Sequence, residues 1–362
     1  MRLVLLFVAS LIIFSSTVSA WGFHDAMGNG TPIICITPKQ SAMGGVWALP
    51  SSEAASIFLN PAELSMMDGT SIKITTAIIQ WYSYISGTMD YDRFDSGTLG
   101  TVTAAVGTEI SDVVSIGTGI ARVSHFGFSG ISNILEECGL NEYRIYAIDL
   151  LDSRGSLWEA NTGISVVISD WLTAGVSGGL RFGNGSYTLR HEIVDPLYPD
   201  DTTEVDWDES DFCFHAGLLM PFSFGTFAVS GTNPTGRYDS RVAFGFQKDF
   251  SLLNGSTLGV EFDVQSIEEK NCATSGKAFA YLPEIMPNIR SIYSVGFIRA
   301  VDANKASLCL GTGACVDFGK MDLDLSISWM SRSRRGNAFP EPYISNIDDR
   351  GTYYTAGLSW SL

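Results

Sequence analysis

The chain has 362 residues, and its 39 acidic and 22 basic side chains give a formal net charge of −17 and an isoelectric point near 4.5. This acidity argues against nucleic acid or an anionic membrane surface as a partner. Only 17% of the residues are charged and 45% are hydrophobic, whereas soluble domains usually carry about 25% charged residues, so the composition disfavours an ordinary soluble domain.

Residues 1–20 have the pattern of a secretory signal peptide. Arg2 supplies positive charge, residues 3–14 form an apolar core, and Val18-Ser19-Ala20 is a small-residue cleavage site. The apolar core has about twelve residues, whereas a membrane-spanning helix needs about twenty. We therefore predict cleavage after Ala20 and export to a compartment that permits disulfides. The spacing of the six cysteines assigns no pairing.

Residues 21–68 are predicted to be loop-like, with two short motifs. The first is Met43-Gly44-Gly45 and the second is Asn60-Pro61-Ala62. Between them, residues 51–53 are expected to begin a single helical turn through Ile57. Pro61 is expected to hold Asn60 in an extended or turn conformation, because the proline ring disfavours the helical region for the residue before it.

From Ser71 onward, apolar residues alternate with small or polar residues. In the last strand Tyr354, Leu358, Trp360 and Leu362 share one face, and glycine, serine and threonine occupy the other. Successive side chains of a strand point to opposite faces, and membrane barrels place the apolar face against lipid. The pattern predicts an all-β fold for residues 69–362: a transmembrane antiparallel up-and-down β-barrel of about fourteen strands.

A soluble β-sandwich or soluble barrel is the alternative, in which the apolar faces of the strands would form the core. The other faces, however, are mostly glycine, serine, threonine and alanine. Repeated glycine weakens a strand and is hard to justify on a solvated face, but it suits an interior where another backbone approaches closely. The sequence therefore favours a membrane barrel with a crowded lumen.

The two N-terminal motifs resemble a known pattern. Met43, Gly44 and Gly45 followed by Asn60, Pro61 and Ala62 resemble the plug of the FadL/TodX family of outer-membrane hydrophobic-compound channels, and equally that of the related PorV-like barrels of secretion systems. The sequence departs from the family pattern at Val46-Trp47 and at Glu63. The resemblance implies that residues 21–68 form a plug inside the lumen, and that the chain lies in the outer membrane of a diderm bacterium.

The final strand resembles the assembly signal of bacterial outer-membrane barrels. Tyr354, Leu358, Trp360 and Leu362 match its apolar positions, although the usual last residue is phenylalanine. The resemblance implies two partners for the chain, the outer-membrane lipid and the barrel-assembly machinery.

Several charged residues are predicted to face the lumen because of their place in the alternation. They are Glu261, Asp263, Asp317, Asp322 and Asp324, with Lys73, Arg181 and Arg241 as counter-charges. Buried charges need partners, so a lumenal role as a polar wall that pairs with the plug backbone or steers a solute is one hypothesis. A hydrated wall near the periplasmic end is the other.

Short turns are predicted to alternate with long connections at residues 125–142, 190–210, 268–287 and 331–350, as in outer-membrane barrels. The first connection is unusually apolar and carries Phe126, Phe128, Ile131, Ile134 and Leu135. In a FadL-like channel this loop would capture a hydrophobic ligand, and the alternative is a short helix packed on the barrel mouth. The acidic residues at 200–208 could supply calcium ligands, but their spacing is not an EF-hand, and we predict no metal.

Enzymatic chemistry lacks its usual motifs in this sequence. The four histidines (His24, His125, His191 and His215) are scattered, and no HExxH, GxSxG or phosphate loop occurs. We predict no catalytic activity and no cofactor. The expected function is passive uptake of long-chain fatty acids or other hydrophobic small molecules. The alternatives are a PorV-like structural barrel that docks secreted or surface proteins, and an aqueous pore, which a plug would obstruct.

Overall fold

The computed structural model describes residues 31–32, 36–49, 53–87, 89–139, 142–195, 197, 199–237, 240–250, 256–265, 273–286, 288–300, 307–337 and 344–362. The predicted signal peptide, residues 1–20, lies outside these ranges, as do Cys35 and Cys272. The cysteines within them, Cys138, Cys213, Cys309 and Cys315, are free thiols. Among the described helices, none combines the length and the hydropathy that a bilayer-crossing helix requires.

Short elements come first along the chain, and long strands follow. The short elements are β1 (Thr31–Pro32), α1 (Pro38–Ala42) and two 3-10 helices (Ala54–Phe58 and Pro61–Met66). The strands are β2 (Thr70–Gly87), β3 (Met89–Ser111), β4 (Val114–His125), β5 (Phe128–Gly139), β6 (Glu142–Ser169), β7 (Leu172–Ile193), β8 (Asp201–Phe222), β9 (Gly225–Thr232), β10 (Arg241–Phe250), β11 (Ser256–Gln265), β12 (Ala273–Met286), β13 (Ile289–Ala300), β14 (Ser307–Asp317), β15 (Met321–Asn337) and β16 (Ile344–Ser361).

The strands close into a single antiparallel barrel. Each wall strand pairs with its sequence neighbour, and β16 pairs with β2, where Tyr354 lies opposite Ile78. Both β4 and β5 pair with β6, so they are one wall strand interrupted at Phe126-Gly127. The wall therefore has fourteen strands, and the predicted antiparallel transmembrane barrel is confirmed.

Side-chain exposure separates the two faces of each wall strand. On β7, Val176 is 56% exposed and Leu180 is 52% exposed, whereas Ser177 between them is 4% exposed. On β8, Phe212 and Phe214 are exposed on either side of the buried Cys213. The large apolar residues thus face outward and the small residues face the lumen, as expected for a barrel in lipid.

The predicted long connections were wrong, because most of their residues belong to strands. Residues 128–139 form β5, residues 273–286 form β12, and β8 begins at Asp201, so a short connection at 194–200 replaces the expected loop of 190–210. A membrane crossing needs only about 9–11 strand residues, whereas β6 has 28 and β7 and β8 have 22 each. Residues 201–204 of β8 are all exposed, so the alternation that reveals a strand is absent there.

The described wall strands differ in length, and the lumen is filled near the short turns that join them. Among the described residues, β9, β10 and β11 have 8, 10 and 10 residues, fewer than the 22 to 28 of β6–β8. The described residues 36–49 and 53–68, called the N-terminal segment below, are mostly buried and form one apolar cluster with inward-facing wall residues. This segment and the wall around it are the candidate functional site.

Candidate functional site

Inward-facing glycines of the wall make room for the N-terminal segment. A β-carbon at any of them would meet residues of the segment; they are Gly107, Gly117, Gly175, Gly217, Gly245, Gly311, Gly313 and Gly357. At Gly175 the obstacle is the backbone of Pro61 and Ala62, and at Gly217 it is the side chain of Asn60. These two glycines lie opposite each other on β7 and β8. The close approach predicted from the frequency of glycine is therefore present.

The Met-Gly-Gly motif forms a tight turn at the end of α1. Gly44 and Gly45 have φ angles of 81° and 80°, a region that side-chain-bearing residues rarely adopt. Their amides donate to the carbonyls of Ser41 and Gln40 at 3.0 and 2.8 Å, so they satisfy carbonyls that the short helix leaves open. Two consecutive glycines are required because both positions need a positive φ.

Asn60 connects the two halves of the N-terminal segment. Its backbone is extended, as predicted from Pro61, and its Oδ1 accepts from the amide of Ala62 at 3.2 Å. Its Nδ2 donates to the carbonyl of Ala48 at 2.8 Å. Three wall hydroxyls hold the same region, because Ser165, Ser177 and Ser230 donate to carbonyls of residues 57–62.

On β11 and β12, charged side chains bind the backbone of residues 45–49. The Glu261 carboxylate accepts from the amides of Trp47, Ala48 and Leu49 at 2.6, 2.8 and 3.0 Å. Lys277 lies opposite Glu261 across the two strands and donates to the carbonyl of Gly45 at 2.5 Å. Of the two sequence hypotheses for Glu261, the contacts match the one in which the wall pairs with the backbone of the segment.

Neighbouring charges complete this cluster. Asp263 pairs with Lys277 and accepts from the hydroxyl of Ser275 at 2.9 Å. The guanidinium of Arg241 lies 4.0 Å from the ring centre of Trp47, a cation–π contact. Asp263 and Arg241 were predicted to face the lumen, whereas the role of Lys277 was missed because residues 268–287 were read as a loop.

A second ionic cluster holds the segment from β2 and β15. Lys73 is fully buried and pairs with Asp324 and with Glu53, the latter at 2.9 Å. Glu53 begins the first 3-10 helix and also lies 3.5 Å from Lys39. Lys73 and Asp324 were predicted as lumenal counter-charges, and the structure brings them together with a carboxylate of the segment itself.

A third cluster lies within the wall at β6, β7 and β8. Glu159 accepts from Arg181 at 2.7 and 3.0 Å, is bonded to His215 at 2.5 Å, and accepts from Asn161 at 2.5 Å. All four residues are at most 2% exposed. Arg181 was predicted as a lumenal charge, but Glu159 was missed. Residues of β6 alternate between the two faces, so Glu159 lies on the same inward face as Asn161.

The remaining predicted charges lie at the rim. Asp317 and Asp322 face each other across β14 and β15, next to the short turn at residues 318–320. Both are partly exposed, which fits a hydrated position near the end of the lumen.

The predicted capture loop is part of the wall rather than a loop. Phe126 lies in the break between β4 and β5, and Phe128, Ile131, Ile134 and Leu135 belong to β5. Phe126, Phe128 and Ile134 are at most 2% exposed, and Ile131 is 59% exposed. The loop was therefore predicted wrongly. Its residues continue the wall because residues 128–139 pair with β6.

The C-terminal strand has the orientation that an assembly signal needs. Tyr354 and Leu362 are 39% and 68% exposed, and Leu358 and Trp360 are partly exposed. The amide of Leu362 donates to the carbonyl of Thr70 at 2.9 Å, so the end of the chain is fixed to the start of β2. The role of these residues in assembly stays a prediction.

Within the part of the chain that the structure describes, the wall contains an interval in which β3 is not paired with β4 or β5. Pairing runs from Ser111 opposite Val114 up to Thr103 opposite Ala121 and resumes only at Asp90 opposite Asn133. Within this interval β1 adds to the edge of β4, with Thr31 opposite His125 and Pro32 opposite Ser124. The interruption between β4 and β5 lies at the same place, so the wall departs from a regular ladder here.

Comparisons with known proteins give structural matches only. No protein-family model matches the chain, and no curated protein sequence matches it. The chain is similar in structure to a FadL homologue from Pseudomonas aeruginosa, with a TM-score of 0.62, 10% identity, and coverage of 96% of this chain and 98% of the other.

Two solved transporters are similar as well. The Pseudomonas putida toluene transporter TodX has a TM-score of 0.63, 11% identity, and coverage of 93% and 99%. The Ralstonia pickettii toluene transporter TbuX has a TM-score of 0.58, 12% identity, and coverage of 90% and 98%. Both are described as toluene transporters. With its closed fourteen-stranded wall, this chain has the fold of the FadL/TodX-type outer-membrane hydrophobic-compound channels.

Proposed function

We propose that this chain is an outer-membrane channel for passive uptake of hydrophobic small molecules, long-chain fatty acids among them. The observation that carries the proposal is the unpaired interval between β3 and β4–β5. Neighbouring wall strands that are not paired with each other leave a place where a solute could pass sideways between them, and among the described residues β1 pairs with only Ser124 and His125 of β4 there. The similarity to two toluene transporters supports the same function.

The height of the interval suits sideways exit into the membrane. β3 and β4 stay paired from the periplasmic turn up to Thr103 and Ala121, and a crossing takes about 9–11 tilted strand residues. The interval therefore begins near the outer boundary of the hydrocarbon layer. A hydrophobic solute that leaves the lumen there enters lipid without passing through water.

The N-terminal segment closes the route through the periplasmic half of the lumen. We assign residues 1–20 to a cleaved signal peptide, residues 21–68 to a plug and residues 69–362 to the barrel. In this assignment Asn60-Pro61-Ala62 fixes the plug to β7 and β8, and Met43-Gly44-Gly45 provides its turn. The burial of the N-terminal segment among wall residues supports this assignment, in which passage along the barrel axis requires the segment to move.

Apolar wall residues beside the interval are suited to receive the solute. Phe126 packs against Trp207 with ring centres 4.5 Å apart, and Phe128 and Ile134 are buried close by in sequence. The guanidinium of Arg237 lies 5.9 Å from the ring centre of Phe126 and 4.7 Å from that of Trp207, so one charged group accompanies these rings. Large apolar side chains with a small number of polar groups favour hydrophobic ligands. Docking of a secreted protein, the alternative function, has no comparable observation in its favour.

The proposal is tested by uptake into liposomes that contain the purified barrel. A fluorescent long-chain fatty acid and a neutral aromatic hydrocarbon serve as solutes, and a sulfonated dye serves as the polar control. We expect faster entry of the hydrophobic solutes than in protein-free liposomes and no entry of the dye. Deletion of residues 21–60 should admit the dye as well. Equal rates with and without the barrel would contradict the proposed function.

A further inference from the structure

The two halves of the N-terminal segment are held by different kinds of contact. Residues 57–62 are held by neutral serine hydroxyls and by close contact with glycines. Residues 45–49 are held by the side chains of Glu261 and Lys277. Trp47 and Leu49 also pack on the wall, against the guanidinium of Arg241 and at Gly245. Hydrogen bonds that involve a charged group are roughly twice as strong as neutral ones, so the polar attachment of the backbone of residues 45–49 depends on Glu261 and Lys277.

The contacts of Glu261 are concentrated on one short stretch of backbone. One carboxylate accepts from three consecutive amides, those of Trp47, Ala48 and Leu49, and it is buried with the segment in place. Lys277 takes the carbonyl of Gly45 and lies 3.7 Å from Glu261. Residues 45–49 therefore have wall partners for both amide and carbonyl groups, and both partners are charged.

A carbonyl of the same stretch is bonded within the segment. The carbonyl of Ala48 accepts from Asn60 at 2.8 Å, and Asn60 is fixed to the wall through Gly217 and its neighbours. If the contacts to Glu261 and Lys277 break, residues 45–49 can leave β11 and β12 while residues 57–62 stay on β7 and β8. The contacts thus distinguish residues 45–49, whose backbone is bonded to wall charges, from residues 57–62, whose backbone is bonded to neutral wall groups.

We infer that Glu261 and Lys277 are the gating pair of the channel: they position residues 45–49 across the lumen, and release of this stretch opens the periplasmic half. This inference rests on the proposed function, because a gate in this lumen regulates the channel proposed above. Glu261 and Lys277 are positioning residues, since they act through the segment and not on a solute.

The test measures exposure of the segment without any hydrophobic solute. A cysteine is introduced at Ala48, which is fully buried, and its labelling by a membrane-impermeant maleimide is timed in the detergent-solubilised barrel. The same chain without this cysteine gives the background from native thiols. Glu261→Gln and Lys277→Met should each raise the labelling rate about tenfold, because each removes charged hydrogen bonds to residues 45–49. A tenfold change corresponds to a loss of about 1.4 kcal/mol in the free energy that holds this stretch on the wall. Because the pair acts as a unit, the double variant should gain less than the sum of the two effects on a free-energy scale.

Glu159→Gln is the matched control. Glu159 is an equally buried lumenal carboxylate, but its hydrogen bonds within the described residues go to Asn161, Arg181 and His215 of the wall. Its substitution should leave Ala48→Cys protected, and Lys277→Arg should also keep it protected because the charge remains. A second readout is ion conductance in planar bilayers, which should rise for Glu261→Gln and not for Glu159→Gln.

Two results would overturn the inference. One is unchanged labelling of Ala48→Cys in both Glu261→Gln and Lys277→Met, in barrels that still show the gel shift of a folded barrel. The other is an equal rise in the Glu159→Gln control, which would indicate general loosening. If Glu261→Gln does not fold, Lys277→Met decides alone. Failure of the proposed function is distinguishable, because it would abolish solute uptake in the wild-type chain and leave the labelling pattern intact.

Discussion

Gly217 on β8 lies so close to Asn60 that a β-carbon at residue 217 would overlap the carboxamide of Asn60. The same carboxamide donates to the carbonyl of Ala48 and accepts from the amide of Ala62. The absence of a side chain on the wall is thus what allows Asn60 to connect the two halves of the N-terminal segment. This relationship leads to the first prediction.

Gly217→Ala should displace Asn60 and loosen the segment. Overpacking of a tight interior costs about 1–3 kcal/mol, and here the loss should appear as a lower midpoint of thermal unfolding and faster labelling of Ala48→Cys. Gly231→Ala on β9 is the control, because a β-carbon there meets its nearest atom at an ordinary 3.5 Å. Equal behaviour of the two variants would show that Gly217 has no special role.

Asn60→Ala should lower the free energy of unfolding by about 1–2 kcal/mol, because it removes both a helix cap and a buried donor. Asn60→Asp keeps the acceptor for Ala62 but replaces the donor to Ala48 with a carboxylate oxygen. We therefore expect Asn60→Asp to be no more stable than Asn60→Ala, as measured by urea unfolding in detergent. A fully stable Asn60→Asp variant would contradict the assigned donor role.

Lys73→Met should destabilise the barrel by about 3–5 kcal/mol, since it leaves the carboxylates of Glu53 and Asp324 buried without their shared cation. The combined variant Lys73→Met/Asp324→Leu should recover part of this loss, because it removes one of the two buried carboxylates that Lys73→Met leaves without a cation. Urea unfolding of the wild type, both single variants and the double variant gives the coupling energy. A coupling energy near zero would mean that the pair does not interact as the structure indicates.

Val176→Arg should impair insertion into bilayers, because Val176 is outward and 56% exposed on β7. Arginine on the lipid face costs about 2–4 kcal/mol at the midplane of a bilayer. The control is Thr203→Arg on β8, which is also exposed but lies near the end of the strand that is remote from the periplasmic turn. Folding into phosphatidylcholine vesicles should be reduced for Val176→Arg and nearly unchanged for Thr203→Arg.

The sequence predicted the barrel and its two faces because the alternation of a strand is a local property. Val176 and Ser177 differ in exposure as their chemistry suggests. The sequence has about twelve clear segments of this kind and one or two weak ones, and the even number expected for such barrels made fourteen the estimate, which the wall confirms. The positive φ angles of Gly44 and Gly45 and the extended backbone of Asn60 are local as well, so the motifs revealed them.

Only the tertiary structure decided how distant residues meet. The bonds from Glu261 to Trp47, Ala48 and Leu49 join residues more than two hundred positions apart, and the unpaired interval beside β4 depends on strand register. Residues 128–139 were misread as a loop because their pairing with β6, and not their hydropathy, makes them a strand. The alternation of apolar and small residues predicts whether a side chain faces the lumen or the lipid. The residues that it contacts in the lumen are determined by the closure of the whole barrel.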